Sequence, residues 1–236
     1  HFNPDFKKGM FSSIVTGIRA LDPGQEAFFI LPVDIPLVRT HTVTTLCRTF
    51  SEKRQNILFP TFRGTPGHPP LIPAALSREI VSWSGERGLE GFLQQHRNLE
   101  MMIPVADEGF LLDLDTPEDL KHLEHRCSRN RTPTVSECHL LMQEIYGVPE
   151  QIIAHCQAVA IIAVSMAHAL NRCGNAINVD LVESAALLHD IARTGPSHAA
   201  EGARILQELE YPDVGRIVST HMDIEVEKAR PVCETE

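Results

Sequence analysis

Near residue 189 the chain sets an imidazole beside a carboxylate, at the end of the apolar run Ala185-Ala-Leu-Leu-His-Asp-Ile-Ala-Arg193. Burying that pair is costly unless the two groups are bonded to each other or to a metal ion. A neutral imidazole with a carboxylate suits several divalent metals. One such pair is weak by itself, but three more histidines strengthen it. His155 shares a helical pattern with Val159, Ile162 and Met166, which turns it toward a core. His198 opens the segment HAAEGARIL, and His221 closes the one ending IVSTH. Four helix-borne histidines and Asp190 can converge inside a bundle, a common place for metal sites. A metal held there lowers the pKa of bound water to near neutrality and supplies hydroxide for attack on phosphorus. Arg193 follows within about a turn. It is either a phosphate contact or a solvated charge favoured by the helix macrodipole. His168 lies several turns beyond His155 and reads as structural.

A second set of chemically able residues lies in the first half. Leu31-Pro-Val-Asp-Ile-Pro-Leu-Val38 puts Asp34 at the end of an apolar strand, where open α/β sheets place ligands. A carboxylate there can hold Mg²⁺ against a triphosphate, or simply cap the turn before Pro36. In Pro60-Thr-Phe-Arg-Gly-Thr-Pro-Gly-His-Pro-Pro-Leu-Ile72, Gly64 and Gly67 permit close backbone approach to a ligand. Arg63 and His68 supply donors. Equally, the segment is a proline-stiffened surface loop. In Leu112-Asp-Leu-Asp-Thr-Pro-Glu-Asp-Leu120, Asp115 either joins Asp34 at a metal or supports a helix cap.

The elements that position these residues divide into two kinds. Residues 1–126 read as α/β. Strands are expected at Ala27–Val33, Gln55–Phe59, Met101–Val105 and Phe110–Leu114, about four in all. Helices are expected at Thr40–Phe50, Ala74–Trp83 and Leu89–Gln95. Thr116-Pro-Glu-Asp119 opens a last helix, with Thr at the N-cap, Pro at N1 and acids in the first turn. Pro60–Pro73 holds five prolines and is excluded from helix and from central strand. Residues 127–136 read as a linker. From Glu137 onward the patterns are all helical. A long helix runs from Pro149 to about Cys173, a second from Asn178 to Arg193, and further ones from His198 to Leu209 and from Pro212 to Thr220.

Composition bounds the function. The 236 residues are 43% hydrophobic and 22% charged, which excludes disordered and collagen-like classes. The net charge of −10 argues against a general polyanion-binding surface, since nucleic-acid modules carry a basic field. Small phosphorylated substrates stay open, because one local site overrules net charge. No uninterrupted apolar run reaches the roughly 18–20 residues of a membrane span. Ala158–Met166 is the richest. The six cysteines (47, 127, 138, 156, 173 and 233) show no C-x-x-C spacing and read as reduced thiols in a cytoplasm. The start, HFNPDFKKGM, has neither a signal-peptide pattern nor an initiator Met, which suggests a fragment.

The series His155, His189-Asp190, His198 and His221 resembles the HD-domain metal phosphohydrolases, over about residues 137–223. The phrases AALLHDIAR and HAAEGARIL are similar to that family's own. The resemblance implies a divalent metal (Mn, Fe, Zn, Ni or Mg). The first His, the His-Asp pair and a late Asp would hold one ion, His198 and His221 a second, and Asp190 would bridge. The family's late Asp sits beyond the point where this sequence stops. Asp223 lies too early for that role.

The first half is similar to the molybdenum-cofactor cytidylyl- and guanylyltransferases, which have a Rossmann-like fold. LPVDIPLV, the Gly67-His68-Pro69 turn and DLDTPEDL carry the likeness, together with Asn3, Gly9, Met10 and the Ser12-Ser13 pair. It implies Mg²⁺ at Asp34 and nucleotide or pterin contact by the loop of Gly67 and His68. That family opens with a strand and a Gly-rich triphosphate loop, and neither occurs in this sequence. The expectation is therefore a partial nucleotidyltransferase sheet, inactive in nucleotidyl transfer at this length, joined to an HD phosphohydrolase acting on a nucleotide or a phosphorylated small molecule. The alternative is a nucleotidyltransferase with a regulatory, non-hydrolytic HD domain. Neither nucleic acid nor membrane is an expected partner.

Overall fold

The computed structural model describes residues 1–222 apart from Thr194 and Pro196. The chain divides into two compact units, His1–Cys127 and Ser128–Glu236.

The first unit is a mixed sheet with helices on both faces. The strands are β1 (Ala27–Phe29), β2 (Ile57–Phe62), β3 (Thr65–Pro66), β4 (Leu71–Pro73) and β5 (Glu100–Pro104). Antiparallel pairs join β1 to β4, β4 to β2 and β2 to β3, while β5 runs parallel to β2 with Leu58 opposite Met101. Successive side chains on a strand point to opposite faces, and the burial follows that rule. Phe28, Ile57 and Ile72 pack with Ile18, Ile80 and Phe92 on one face. Leu58 and Leu71 pack with Leu46 and Phe50 on the other. The first cluster brings in α1 (Met10–Arg19), α3 (Ser77–Ser82) and α4 (Gly88–Gln95), and the second brings in α2 (Thr40–Glu52). Helix α5 (Pro117–Ser128) follows, with Pro at its first position.

The proline-rich segment departs from expectation. It supplies the end of β2 and all of β3 and β4, and β4 lies between β1 and β2. Leu71 and Ile72 carry the pairing of β4; Pro66 and Pro73 fall at strand ends and Pro69 and Pro70 precede β4, where a missing N–H costs least, whereas Pro60 lies within β2 opposite Ile103. The turn from β2 to β3 is Arg63-Gly64, both at positive φ (51° and 80°), as a tight hairpin requires.

Phe110–Leu114 is also not a strand. A 3-10 turn covers Glu108–Leu111, because the buried Asp107 caps it by accepting from the Gly109 N–H at 2.9 Å. Asp107 also accepts from the Arg39 N–H (2.8 Å) and the Thr42 hydroxyl (2.7 Å). Burial pushes the Asp107 carboxyl up from its ordinary value, against the pull of those donors.

The second unit is helical throughout its described residues. It contains α6 (Val135–Leu140), which runs on as a wider π-turn over Leu141–Ile145, then α7 (Glu150–Arg172), α8 (Val179–Leu188), α9 (His198–Glu208) and α10 (Pro212–Thr220). Thr134 and Glu137 form a capping box at α6, and Asn178 caps α8 through the Leu181 N–H. Helix α8 contacts α6, α7 and α10, and α9 lies on α10. All five residues from Ser184 to Leu188 are buried, as befits a helix enclosed by its neighbours.

Two expectations change here. Helix α8 ends at Leu188, so His189–Arg193 form turns past its end rather than a continuation. The stripe on α7 does not face the core, since Ile162 and Met166 are each 61% exposed and His155 is exposed too. Ile153, Cys156, Ala160 and Ala167 form the buried side instead. Helix α7 is long and apolar enough to cross a membrane by length and composition alone, which a search for uninterrupted apolar runs misses. It packs against α8.

Candidate functional site

The last carbonyls of a helix have no intrahelical N–H partner, and at two helix ends a histidine supplies one. The His189 Nδ1–H donates to the Ala186 carbonyl at 2.8 Å, and the His221 Nδ1–H to the Val218 carbonyl at 2.6 Å. At the start of α9 the His198 Nδ1–H donates to the Gly195 carbonyl at 3.3 Å. With Nδ1 carrying the proton, each ring presents the bare Nε2, the tautomer a metal ligand needs.

All three Nε2 atoms point at Asp190, which is 1% exposed. His189 lies 3.4 Å from Oδ2, His198 3.5 Å from Oδ1 and His221 3.8 Å from Oδ1. The rings form a chain, with centroids 5.3 Å apart from His155 to His189, 5.2 Å from His189 to His221 and 5.2 Å from His198 to His221. Two sets of ligand atoms result, each within 4.8 Å of one another: His155, His189 and Asp190, and Asp190, His198 and His221. Asp190 belongs to both.

The electrostatics suit a cation. Burial holds the His189 pKa below its ordinary value, against the pull of the Ala186 carbonyl and Asp190. The His221 Nε2 is buried without a hydrogen-bond partner. An orphaned lone pair beside a buried carboxylate is the donor set a divalent ion fits. Arg193 forms an ion pair with Asp190 Oδ2, and its side chain is 51% exposed. His168 is exposed on α7, away from this cluster. Asp223 lies outside the described residues.

In the first unit the three motifs adjoin. The Asp34 carbonyl accepts from the Leu114 N–H at 2.8 Å, which binds the turn after β1 to the segment leading into Asp115. Gly67 lies against the Phe110 ring, and a Cβ there would come within 2.2 Å of it. This glycine therefore serves packing within the unit, where close approach of a ligand had been expected. Arg63 sits exposed at the hairpin tip. His68 Nδ1 and Asp34 Oδ1 are buried without hydrogen-bond partners. Asp119 accepts from the N–H and hydroxyl of Thr116 and from the Asp115 N–H, so the backbone of Asp115 serves the cap of α5. Those bonds lower the Asp119 pKa. Among the described residues, neither Asp34 nor Asp115 joins a set of three ligand atoms close enough to share an ion. The Asp107–Thr42 network gave no signal in the sequence beyond an Asp two residues before a Gly.

Comparison with known proteins fits both halves. Residues 1–99 match the MobA-like NTP transferase domain, and residues 152–235 match the HD domain. The chain joins a MobA-like NTP transferase domain to an HD domain. Over 122 residues, half of this chain, it is 27% identical to the molybdenum cofactor cytidylyltransferase of Escherichia coli, covering 57% of that protein. Over 87 residues, 35% of this chain, it is 33% identical to an uncharacterised protein of Methanocaldococcus jannaschii, covering 52% of it. The chain thus spans about half the length of these curated relatives. The HD match contains His155, His189, Asp190, His198 and His221, and the transferase match contains Asp34, Arg63, Gly67 and His68. Asp115 lies beyond the latter.

Proposed function

We propose that the HD domain is a metal-dependent phosphohydrolase acting on a nucleotide or a phosphorylated small molecule. It is fused to a domain of molybdopterin-type nucleotidyltransfer. One observation carries the reading: Asp190 stands between two histidine sets, with the rings of His189, His198 and His221 held in the ligand tautomer. His155 and His189 would hold an ion on the Oδ2 side of Asp190, and His198 and His221 one on the Oδ1 side. A divalent ion in such a site activates water and neutralises charge on a phosphoryl group. The protein's own contribution is orientation. Three backbone carbonyls fix three of the rings, and burial lowers the His189 pKa. Arg193, half-exposed and paired with Asp190, would take a phosphate oxygen. In the transferase domain Asp34 would hold Mg²⁺, a role its orphaned Oδ1 fits, and the loop of Arg63, Gly67 and His68 with Asp115 would border the nucleotide or pterin.

The test is elemental analysis of the purified chain beside Asp190→Ala, followed by a panel of phosphate esters. Near-stoichiometric metal in the parent and none in the variant, with hydrolysis of at least one ester, is the expected result. Retained metal without hydrolysis of any ester would favour a regulatory HD domain. No metal in the parent, even after Mn²⁺ is supplied, would overturn the reading.

A further inference from the structure

The two oxygens of Asp190 have different company. Among the described residues, imidazoles stand on the Oδ1 side, His198 at 3.5 Å and His221 at 3.8 Å. On the Oδ2 side His189 lies at 3.4 Å, and Arg193 is already hydrogen-bonded through Nη1. A charge-assisted bond to a buried carboxylate is one of the stronger polar contacts a protein makes. A metal approaching Oδ2 meets a resident cation there, and among the described residues one approaching Oδ1 does not.

We propose that Arg193 is a competing internal cation, so that the two halves of the centre load unequally. The His198–His221 half takes a divalent ion first, and the His155–His189 half fills only as Arg193 leaves Oδ2. This rests on the metal-centre reading above and deepens it. The exchange is open to this side chain. Its outer half is in water, so swinging away sacrifices little packing. Its backbone cannot follow, because the Arg193 N–H donates to the Asp190 carbonyl at 3.1 Å. The freed guanidinium therefore stays tethered within a few ångströms of the centre. There a phosphate oxygen can replace the carboxylate as its partner. Arg193 is thus a positioning residue for the second ion as well as an anion contact.

The test is Mn²⁺ binding to the full chain, by calorimetry and by the signal of free Mn²⁺, for the parent, Arg193→Gln, Arg193→Lys and Asp190→Ala. Asp190→Ala gives the background of adventitious sites on an acidic protein. The parent is expected to show two steps above that background, and His198→Ala is expected to remove the tighter one. In Arg193→Gln the weaker step should tighten by about tenfold, as loss of one competing charge-assisted bond implies, with the tighter step moving about twofold at most. Arg193→Lys keeps the charge and should stay near the parent. Two steps that Arg193→Gln leaves unchanged, or weakens, would overturn this proposal and leave the metal centre standing. No binding above the Asp190→Ala background in any chain would overturn the metal centre, and this proposal with it.

Discussion

The backbone N–H of Leu114 donates to the carbonyl of Asp34 at 2.8 Å, which joins two motifs that lie 80 residues apart in sequence. Neither residue is in a strand, so no ladder holds this contact in place. It ties the turn after β1 to the stretch that carries Asp115 into α5.

Leu114→Pro removes that donor and changes little else, since the Leu114 side chain is exposed. The expected cost is about 1–3 kcal/mol, the penalty for stranding a carbonyl acceptor and constraining its partner. Urea unfolding followed by fluorescence reads this directly, because Trp83 is the sole tryptophan and lies in the first unit. An unchanged midpoint would show that the contact is dispensable.

Gly64 and Gly67 separate two reasons for glycine. At Gly64 the space is open and only the positive φ of 80° resists a side chain, so Gly64→Ala should cost about 1 kcal/mol. At Gly67 a Cβ would press 2.2 Å from the Phe110 ring. Gly67→Ala should therefore cost about 1–3 kcal/mol as overpacking. A smaller loss at Gly67 than at Gly64 would contradict the packing role.

Cys138 tests burial through pH. It is 1% exposed, and burial with the nearby Glu137 charge pushes its thiol well above the ordinary range. Below the ordinary thiol value both folded and unfolded chains keep the proton, and pH changes nothing. Above it the unfolded chain ionises while the folded one does not, so this contribution to stability drains away as pH rises. The slope is about 1.4 kcal/mol per pH unit. Cys138→Ala should flatten the loss between pH 9 and pH 10. Alkylation followed by peptide mapping at pH 8 should label the exposed Cys47, Cys127 and Cys173, and spare Cys138. Labelling at equal rates would refute the assignment.

Much of the helical unit is legible in the sequence, because its boundaries are written in local chemistry. Pro149, Asn178 and Pro212 mark helix starts that depend on the nearest few residues. The histidine series is legible for the same reason in His189, His198 and His221, which sit at helix ends, while His155 lies within α7. The stop of α8 at Leu188 is less visible, because Ile191 and Ala192 continue the apolar pattern after the backbone has left the helix. The outward turn of Ile162 and Met166 is decided by what surrounds α7, which the spacing of one helix does not record. In the first unit α1 and the strands within Pro60–Pro73 are not legible in the sequence: β4 is held by non-local pairing to β1, and β3 is a two-residue hairpin partner of β2. The resemblance implies that Asp190 bridges, but which oxygen lies nearer which histidine is set by the packing and has no local signal in the sequence.

The bonds from ring nitrogens to carbonyls three residues earlier have a practical meaning. Ala186–His189 and Val218–His221 are four-residue cassettes that carry their own ring orientation. The bundle has only to deliver these helix ends to one place, and aiming the two imidazoles is settled inside each turn. A designer moving this centre to another scaffold would copy these short segments of backbone together with the buried carboxylate they face.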